Sequence, residues 1–363
     1  MGPATRYNLN KILIYGVLWA LAGLLFTLVE KGVIGEMTTY PSTGVAYNFN
    51  NSIVVIPLVS FLGGVLLILI DILVINKRVI GLSFPAKLAI KSLVFLLIIF
   101  GTTITAGAIA NTFTLDAGFF SAEVWSSLSR FMGDFAFWSI LIYAGFMTVL
   151  FLFIVEVSNS LGMRVFKNFF SGKYHRPKKE EKIFMFLDLK DSTGIAERLG
   201  NLSYYEFLNQ FFKGISPAIL NSWGTIYQYV GDEVVIHWPK NRSVESIECF
   251  FKMQAAITEK QSDFMTRYGV VPAFRAGIHT GEVSIGEIGT LKKEILYIGD
   301  VLNATSRIQG LCKELGVDLL VSEDVVKLMS GKSPNGHLFV DKGSSELRGK
   351  QERVRVFGVK PKV

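Results

Sequence analysis

Two carboxylates, each set at the end of an apolar run, carry the chemistry in this 363-residue chain. The stretch Ile183-Phe184-Met185-Phe186-Leu187-Asp188-Leu189 delivers Asp188 to the tip of a predicted buried strand. Lys190, Asp191, Ser192 and Thr193 follow with loop and helix-cap character. The second carboxylate, Asp232, lies in Tyr227-Gln228-Tyr229-Val230-Gly231-Asp232-Glu233-Val234-Val235-Ile236, two β-rich runs joined by a Gly-Asp turn. Two acids at strand tips are able to share divalent cations, because hard ions take oxygen ligands. Taken singly, each is equally a turn or capping residue. Further on, Asp300 stands where a helix N-cap is expected, and Asn303 and Arg307 follow at i and i+4, on one helical face. Alone, that pair reads as ordinary solvated surface.

The elements that position these groups fall into two halves. A hydrophobic fraction of 50% with mean hydropathy +0.40 is too apolar for an ordinary soluble protein. Four apolar runs, Ile12–Val29, Ile53–Ile75, Ser92–Ala110 and Phe135–Val155, approach the ~20 residues of a helical span. The first is longer than a signal-peptide core and is followed by Glu30-Lys31, a poor cleavage site, so it is expected to be retained. Basic residues cluster at the N-terminus (Arg6, Lys11), between spans two and three (Lys77, Arg78, Lys87, Lys91) and after span four, whereas the other two loops hold only Lys31 and Arg130. This asymmetry predicts a multi-pass protein of the cell membrane, with both termini and the C-terminal half in the cytoplasm. Asp71 lies inside the second span, where it is either functional or snorkels toward Lys77 or Lys91. Gly63, Gly64, Gly101 and Gly107 mark close-packing or kink positions.

The net charge of +7 is concentrated between residues 161 and 182, which hold seven Lys/Arg against two Asp/Glu. That location points to anionic membrane lipid as the counter-charge and away from nucleic acid. Val165, Phe166, Phe169 and Phe170 recur there at helical spacing, which predicts an amphipathic continuation of the fourth helix ended by Pro177. The expected organisation is a membrane domain over 1–157, a basic linker over 158–182 with Lys178–Glu181 solvated, and a cytosolic domain over 183–363. Cys249 and Cys312 have no metal-type spacing and read as packing residues, and the four histidines are scattered.

From Ile183 onward the pattern reads strand, helix, hairpin, helix, strand, hairpin, helix, strand, with a break near Gly200 in the first helix and one helix over Ser243–Tyr268. This βαββαβ rhythm predicts an α+β ferredoxin-like sandwich on a largely antiparallel sheet.

Four stretches in order and at matching spacing then carry a resemblance. They are Phe186-Leu187-Asp188-x4-Thr193, Tyr229-Val230-Gly231-Asp232-Glu233, Arg275-Ala276-Gly277-Ile278-His279-Thr280-Gly281 and Ile298-Gly299-Asp300-x2-Asn303-x3-Arg307. Together they resemble the signature of class III nucleotide cyclases, over about 183–360. The resemblance implies two Mg²⁺ or Mn²⁺ ions per site, held by Asp188, Asp232 and the Leu189 carbonyl. It further implies that Lys190–Thr193 and either Arg348 or Lys350 meet the phosphates, that Asn303 orients the ribose, and that Arg307 offsets charge at the α-phosphate. It also implies a homodimer, with the metal acids and the Asn/Arg pair on opposite sides of the interface. The base-selecting positions of the family fall on Gln228 and Leu296, which match neither the adenine nor the guanine pairing. A glutamine amide both donates and accepts, so it meets either purine edge. The expectation is a membrane-bound adenylate cyclase of relaxed selectivity acting on ATP. GTP or mixed use is the alternative, and a silent nucleotide-binding membrane receptor is the alternative of another class.

Overall fold

The structure, a computed structural model, describes residues 2–39, 47–79, 81–162, 166, 168, 171–329, 337–346 and 353–361. Arg348 and Lys350 lie outside the described residues, as do Val165, Phe169 and Phe170 of the basic linker. Contacts divide the chain into a unit of Thr5–Met163 and a unit of Arg164–Val363 joined by Met1–Ala4.

The first unit is helical: α1 (Pro3–Ile34), α2 (Phe49–Ile70), α3 (Phe84–Leu115), α4 (Ala122–Gly133) and α5 (Phe135–Leu161). α2 continues through a π-turn, Asp71–Ile75, into a last turn at Asn76–Val79. Four helices are long and apolar enough to cross a membrane: Thr5–Ile34, Phe49–Val79, Phe84–Leu115 and Phe135–Ser160. Each outruns its apolar core. Asn48 Oδ1 accepts the Asn51 amide at 3.2 Å to begin α2, and Asp134 Oδ1 accepts the Ala136 amide at 2.8 Å to begin α5. Leu62, Leu97 and Ile142 point outward, as lipid-facing side chains do. Gly64 does mark a close approach, since a Cβ there would sit 2.6 Å from Trp19 Cδ1. The loop expected over 111–134 instead contains α4, opened by Ser121 and packed through Val124 and Leu128 on Ala108.

Asp71 meets Lys91, one of its two expected partners, but in a buried position. It is fully buried and paired with Lys91, itself fully buried, at 2.9 Å; Lys91 Nζ also reaches Glu156 Oε1 at 2.6 Å.

The second unit runs β1 (Lys178–Leu189), α6 (Ser192–Asn221), β2 (Thr225–Val230), β3 (Glu233–Pro239), α7 (Ser243–Glu259), α8 (Gln261–Tyr268), β4 (Phe274–Ile288), β5 (Glu294–Ile298), α9 (Asp300–Glu314), β6 (Leu319–Ser322), α10 (Glu323–Leu328), β7 (His337–Glu346) and β8 (Arg353–Pro361). The strands form one sheet in the order β2-β3-β1-β4-β6-β8-β7, with β5 on β4, and β4 with β6 is the parallel pairing among the described strands. The β2-β3-β1-β4 core with its two helical crossovers is the expected ferredoxin-like arrangement.

Side-chain alternation along β1 explains how the sheet positions the site. Ile183, Met185, Leu187 and Leu189 enter the core shared with α6 and α7, each contributing about 1.5–3 kcal/mol by burial. Phe184 and Phe186 face the opposite layer with Val235 and Val283, and Asp188 is next on that face. Three expectations are corrected. Lys178–Glu181 belong to β1 and not to the linker, because β1 pairs with β4 as far back as Lys178 opposite Ile285, although Lys178, Lys179 and Glu181 are exposed as expected. The helix over Ser243–Tyr268 breaks at Lys260 into α7 and α8. β7 and β8 have no counterpart in the sequence reading. The break near Gly200 is present, at φ 72°.

Candidate active site

Asp188 is the penultimate residue of β1, and the antiparallel register sets Arg275 of β4 directly across from it. Asp232 occupies the β2–β3 turn, where Gly231 at φ 63° allows the chain to reverse. The register of β1 on β3, with Leu187 opposite Val234, carries that turn to the end of β1. The two carboxyls therefore converge at one end of the sheet, each within the other's field. Burial, then the Asp232 carboxyl, pushes the Asp188 carboxyl up to about 6, against which Arg275 and Gln309 act. Behind them Glu233 is pushed up to about 7 by burial and by both aspartates. Arg275 offsets part of this charge, and the paired carboxylates Asp188 and Asp232 remain as oxygen donors. That donor set fits a hard divalent cation. The Leu189 side chain is in the core, so only its carbonyl is available as a further ligand.

Gln309 and Arg275 escaped the sequence reading. Gln309 reaches from α9 to donate through Nε2 to Asp188 Oδ2 at 3.4 Å. α9 is pressed onto β4 at Gly277, where a Cβ would lie 2.4 Å from the Gln309 amide nitrogen, and Cys312 Sγ donates to Ala276 O at 3.3 Å. No local pattern marks a contact between residues 121 apart.

Of the expected phosphate group, Asp191 caps α6 from a left-handed conformation, φ 56°, and Asp191 and Thr193 are exposed. Ser192 is half-buried. Lys190 is engaged elsewhere: its amide donates to Ala273 O at 2.8 Å and its ammonium pairs with Asp318. Its amide is therefore not free to cradle an anion as expected.

α9 begins at Asp300, with Gly299 and not Asp300 as its cap. Asn303 is exposed and Arg307 half-buried. At about 100° per residue, Arg307 lies ~160° and Asn303 ~120° around the helix from Gln309. With Gln309 on its own chain's Asp188, the Asn/Arg pair faces away from that chain's acids. Gln228 is exposed on β2 and Leu296 half-buried on β5. Their neighbours Tyr227 and Tyr297 touch, with ring centroids 4.6 Å apart, which draws the two base-selecting positions toward one place.

The family model described as "Adenylate and Guanylate cyclase catalytic domain" matches residues 175–360, half of the chain. The chain belongs to this family. The cyclase domain is accompanied by a wider similarity to Adenylate cyclase 2 of Rhizobium meliloti (strain 1021), 34% identical over 224 residues and covering 61% of each chain. The Adenylate cyclase of Anabaena cylindrica is 28% identical over 181 residues, 48% of this chain and 36% of that one. The chain thus spans less than two thirds of the length of these relatives. The structure of a bacterial light-regulated adenylyl cyclase superposes with TM-score 0.50 at 20% identity, over 59% of this chain and 64% of that one, and shows the cyclase fold.

Proposed function

We propose that this chain is a membrane-bound adenylate cyclase that converts ATP to 3′,5′-cyclic AMP and pyrophosphate, with relaxed base selectivity. The observation that carries the reading is the convergence of Asp188 and Asp232 at one end of the sheet. These two residues, with the Leu189 carbonyl, would hold two Mg²⁺ or Mn²⁺ ions. Such ions supply charge neutralisation at the triphosphate and a lowered pKa at the ribose 3′-hydroxyl. Arg275 and Gln309 keep the Asp188 carboxylate aimed. Arg307 offsets the negative charge that grows at the α-phosphate as pyrophosphate departs, and Asn303 orients the ribose. Because Asn303 and Arg307 face away from their own chain's acids, each site takes its acids from one subunit and its Asn/Arg pair from the other. The active species is a homodimer with two equivalent sites. The cyclase domain lies on the cytoplasmic side, with the basic segment on anionic lipid, as the distribution of Lys and Arg supports.

Gln228 favours one further reading. Its exposed amide meets guanine as readily as adenine, so GTP is the second substrate. The test is product analysis of the purified full chain with Mn²⁺ and ATP, GTP, CTP or UTP in turn. Cyclic AMP is the expected main product. Cyclic GMP in excess would favour the guanylate reading, and the absence of any cyclic product would leave only a nucleotide-binding receptor. Mixing an Asp188→Ala chain with an Arg307→Ala chain should rebuild one intact site. If activity stays absent while the two chains associate, shared sites are ruled out.

A further inference from the structure

The membrane unit contains an ionic network that the cyclase chemistry does not use. Lys91 of α3 is fully buried, and its ammonium has three acceptors: Asp71 Oδ2 at 3.3 Å, Asn76 Oδ1 at 3.3 Å and Glu156 Oε1 at 2.6 Å. A lysine ammonium has three donors, so Lys91 is saturated. Asp71 is fully buried and Glu156 is 6% exposed. From α1, Lys11 is also buried and lies in the field of all three charges, with the buried Tyr15 hydroxyl close to Asp71. One ionisable residue from each long helix therefore meets in a single layer.

The π-turn explains how Lys91 takes two acceptors from one helix. In a regular α-helix, five residues advance about 140° beyond a full turn, so Asp71 and Asn76 would face different sides. Here the Asn76 amide bonds to the Asp71 carbonyl, five residues back, and the two side chains meet the same ammonium. Regularising this turn would rotate Asn76–Val79 relative to Phe49–Ile70 by about 100° and shift them ~1.5 Å along the axis. Lys91 would lose an acceptor where no water replaces it. Lys91 thus favours the π-turn over a regular one. Glu156 couples this choice to α5, the helix that precedes the cyclase domain in the chain, because a buried carboxylate without its lysine is strongly disfavoured.

We propose that Asp71, Asn76, Lys91 and Glu156 form a register latch, in which the π-turn of α2 and the position of α5 change together and set the cyclase rate. Its effect on rate rests on the cyclase reading; its effect on helix register does not.

Two variants of the full chain in bilayer nanodiscs of phosphatidylethanolamine and phosphatidylglycerol test it. The first, Lys11→Met/Asp71→Asn/Lys91→Met/Glu156→Gln, opens the latch and neutralises all four buried charges together. The second inserts one alanine after Val74, an outward-facing residue of the π-turn, which sets Asp71 and Asn76 six residues apart on different sides of the helix and leaves every charge in place. Both are read by the rate of ATP cyclisation and by the spin–spin distance between labels at outward-facing Leu62 on α2 and Leu150 on α5. The expected result for both is a label distance changed by several ångströms, a maximal rate at least roughly fivefold lower, and KM for ATP within about twofold of the parent. An unchanged rate beside a changed distance overturns the control of activity. A lowered rate beside an unchanged distance overturns the register change. If the parent chain forms no cyclic nucleotide, the cyclase reading has failed, and an unmoved label pair would still overturn the latch.

Discussion

Replacing Asp188 by asparagine should stabilise the metal-free protein while abolishing its proposed chemistry. The sign follows from the electrostatics of the acid cluster. Asp188 is held at about 6 against an ordinary 3.8, by burial and by Asp232. The folded state therefore prefers the protonated carboxyl. Its contribution favours folding below about pH 4 and is lost as pH rises through about 6. At pH 7.5 the ionised group opposes folding by at most about 3 kcal/mol, taking ~1.4 kcal/mol for each pH unit. Asp188 is half-buried, and solvent screening reduces this to about 1 kcal/mol. Asparagine keeps the shape and removes the charge. In EDTA at pH 7.5, Asp188→Asn should therefore raise the melting temperature of the cyclase domain by ~2–4 °C. At pH 5.0, between 3.8 and about 6, roughly half of the gain should remain, and it should nearly vanish at about pH 3.5. Mn²⁺ should reverse the order, because a ligand at a hundredfold excess over its dissociation constant stabilises the parent by about 2.7 kcal/mol. Calorimetry of the full chain in detergent measures all three. An asparagine variant less stable than the parent in EDTA at pH 7.5, or a gain independent of pH, would refute the like-charge cluster.

Gln309→Ala removes a neutral donor from Asp188 and should weaken the apparent Mn²⁺ affinity about fivefold, from ~1 kcal/mol for one hydrogen bond. A Mn²⁺ titration of activity checks it, and an unchanged midpoint would show the contact to be idle. Gly277→Ala drives a methyl into the α9 backbone and should cost ~1–3 kcal/mol in thermal unfolding, since neither β4 nor α9 is able to yield alone. Gln228→Lys with Leu296→Asp installs the family's adenine pairing and should raise the ATP-over-GTP ratio of kcat/KM at least about tenfold, as a site whose polar groups must all pair rejects the wrong base.

The acids were found from sequence because a strand enforces a period of two. Apolar residues at 183, 185, 187 and 189 fix which face Asp188 occupies, and the Gly231-Asp232 turn fixes its partner. The groups around them are a different matter. Arg275 and Gln309 approach through sheet register and helix docking, which the local pattern does not encode. β7 passes from His337-Leu-Phe-Val into the polar run Asp341–Glu346 at a sheet edge, so its alternation fades where burial ends. α4 is three turns rich in serine and reads as loop until Ala108 gives its apolar face something to cover. Asp71 signalled its own importance by standing in an apolar run, yet no residue type calls for the π-turn that follows it.

β1 pairs along its whole length, from Lys178 opposite Ile285 to Leu189 opposite Phe274, about 40 Å of continuous ladder. Such a strand cannot act as a sliding rod. A slip of one residue would drop Asp188 among the core aliphatics and lift Leu187 and Leu189 onto the face that Asp188 occupies. Mechanical input arriving at Lys178 is therefore borne by the sheet as a rigid plate. In the proposed homodimer it would tilt one catalytic half against its twin without shuffling Asp188 and Leu189 within either.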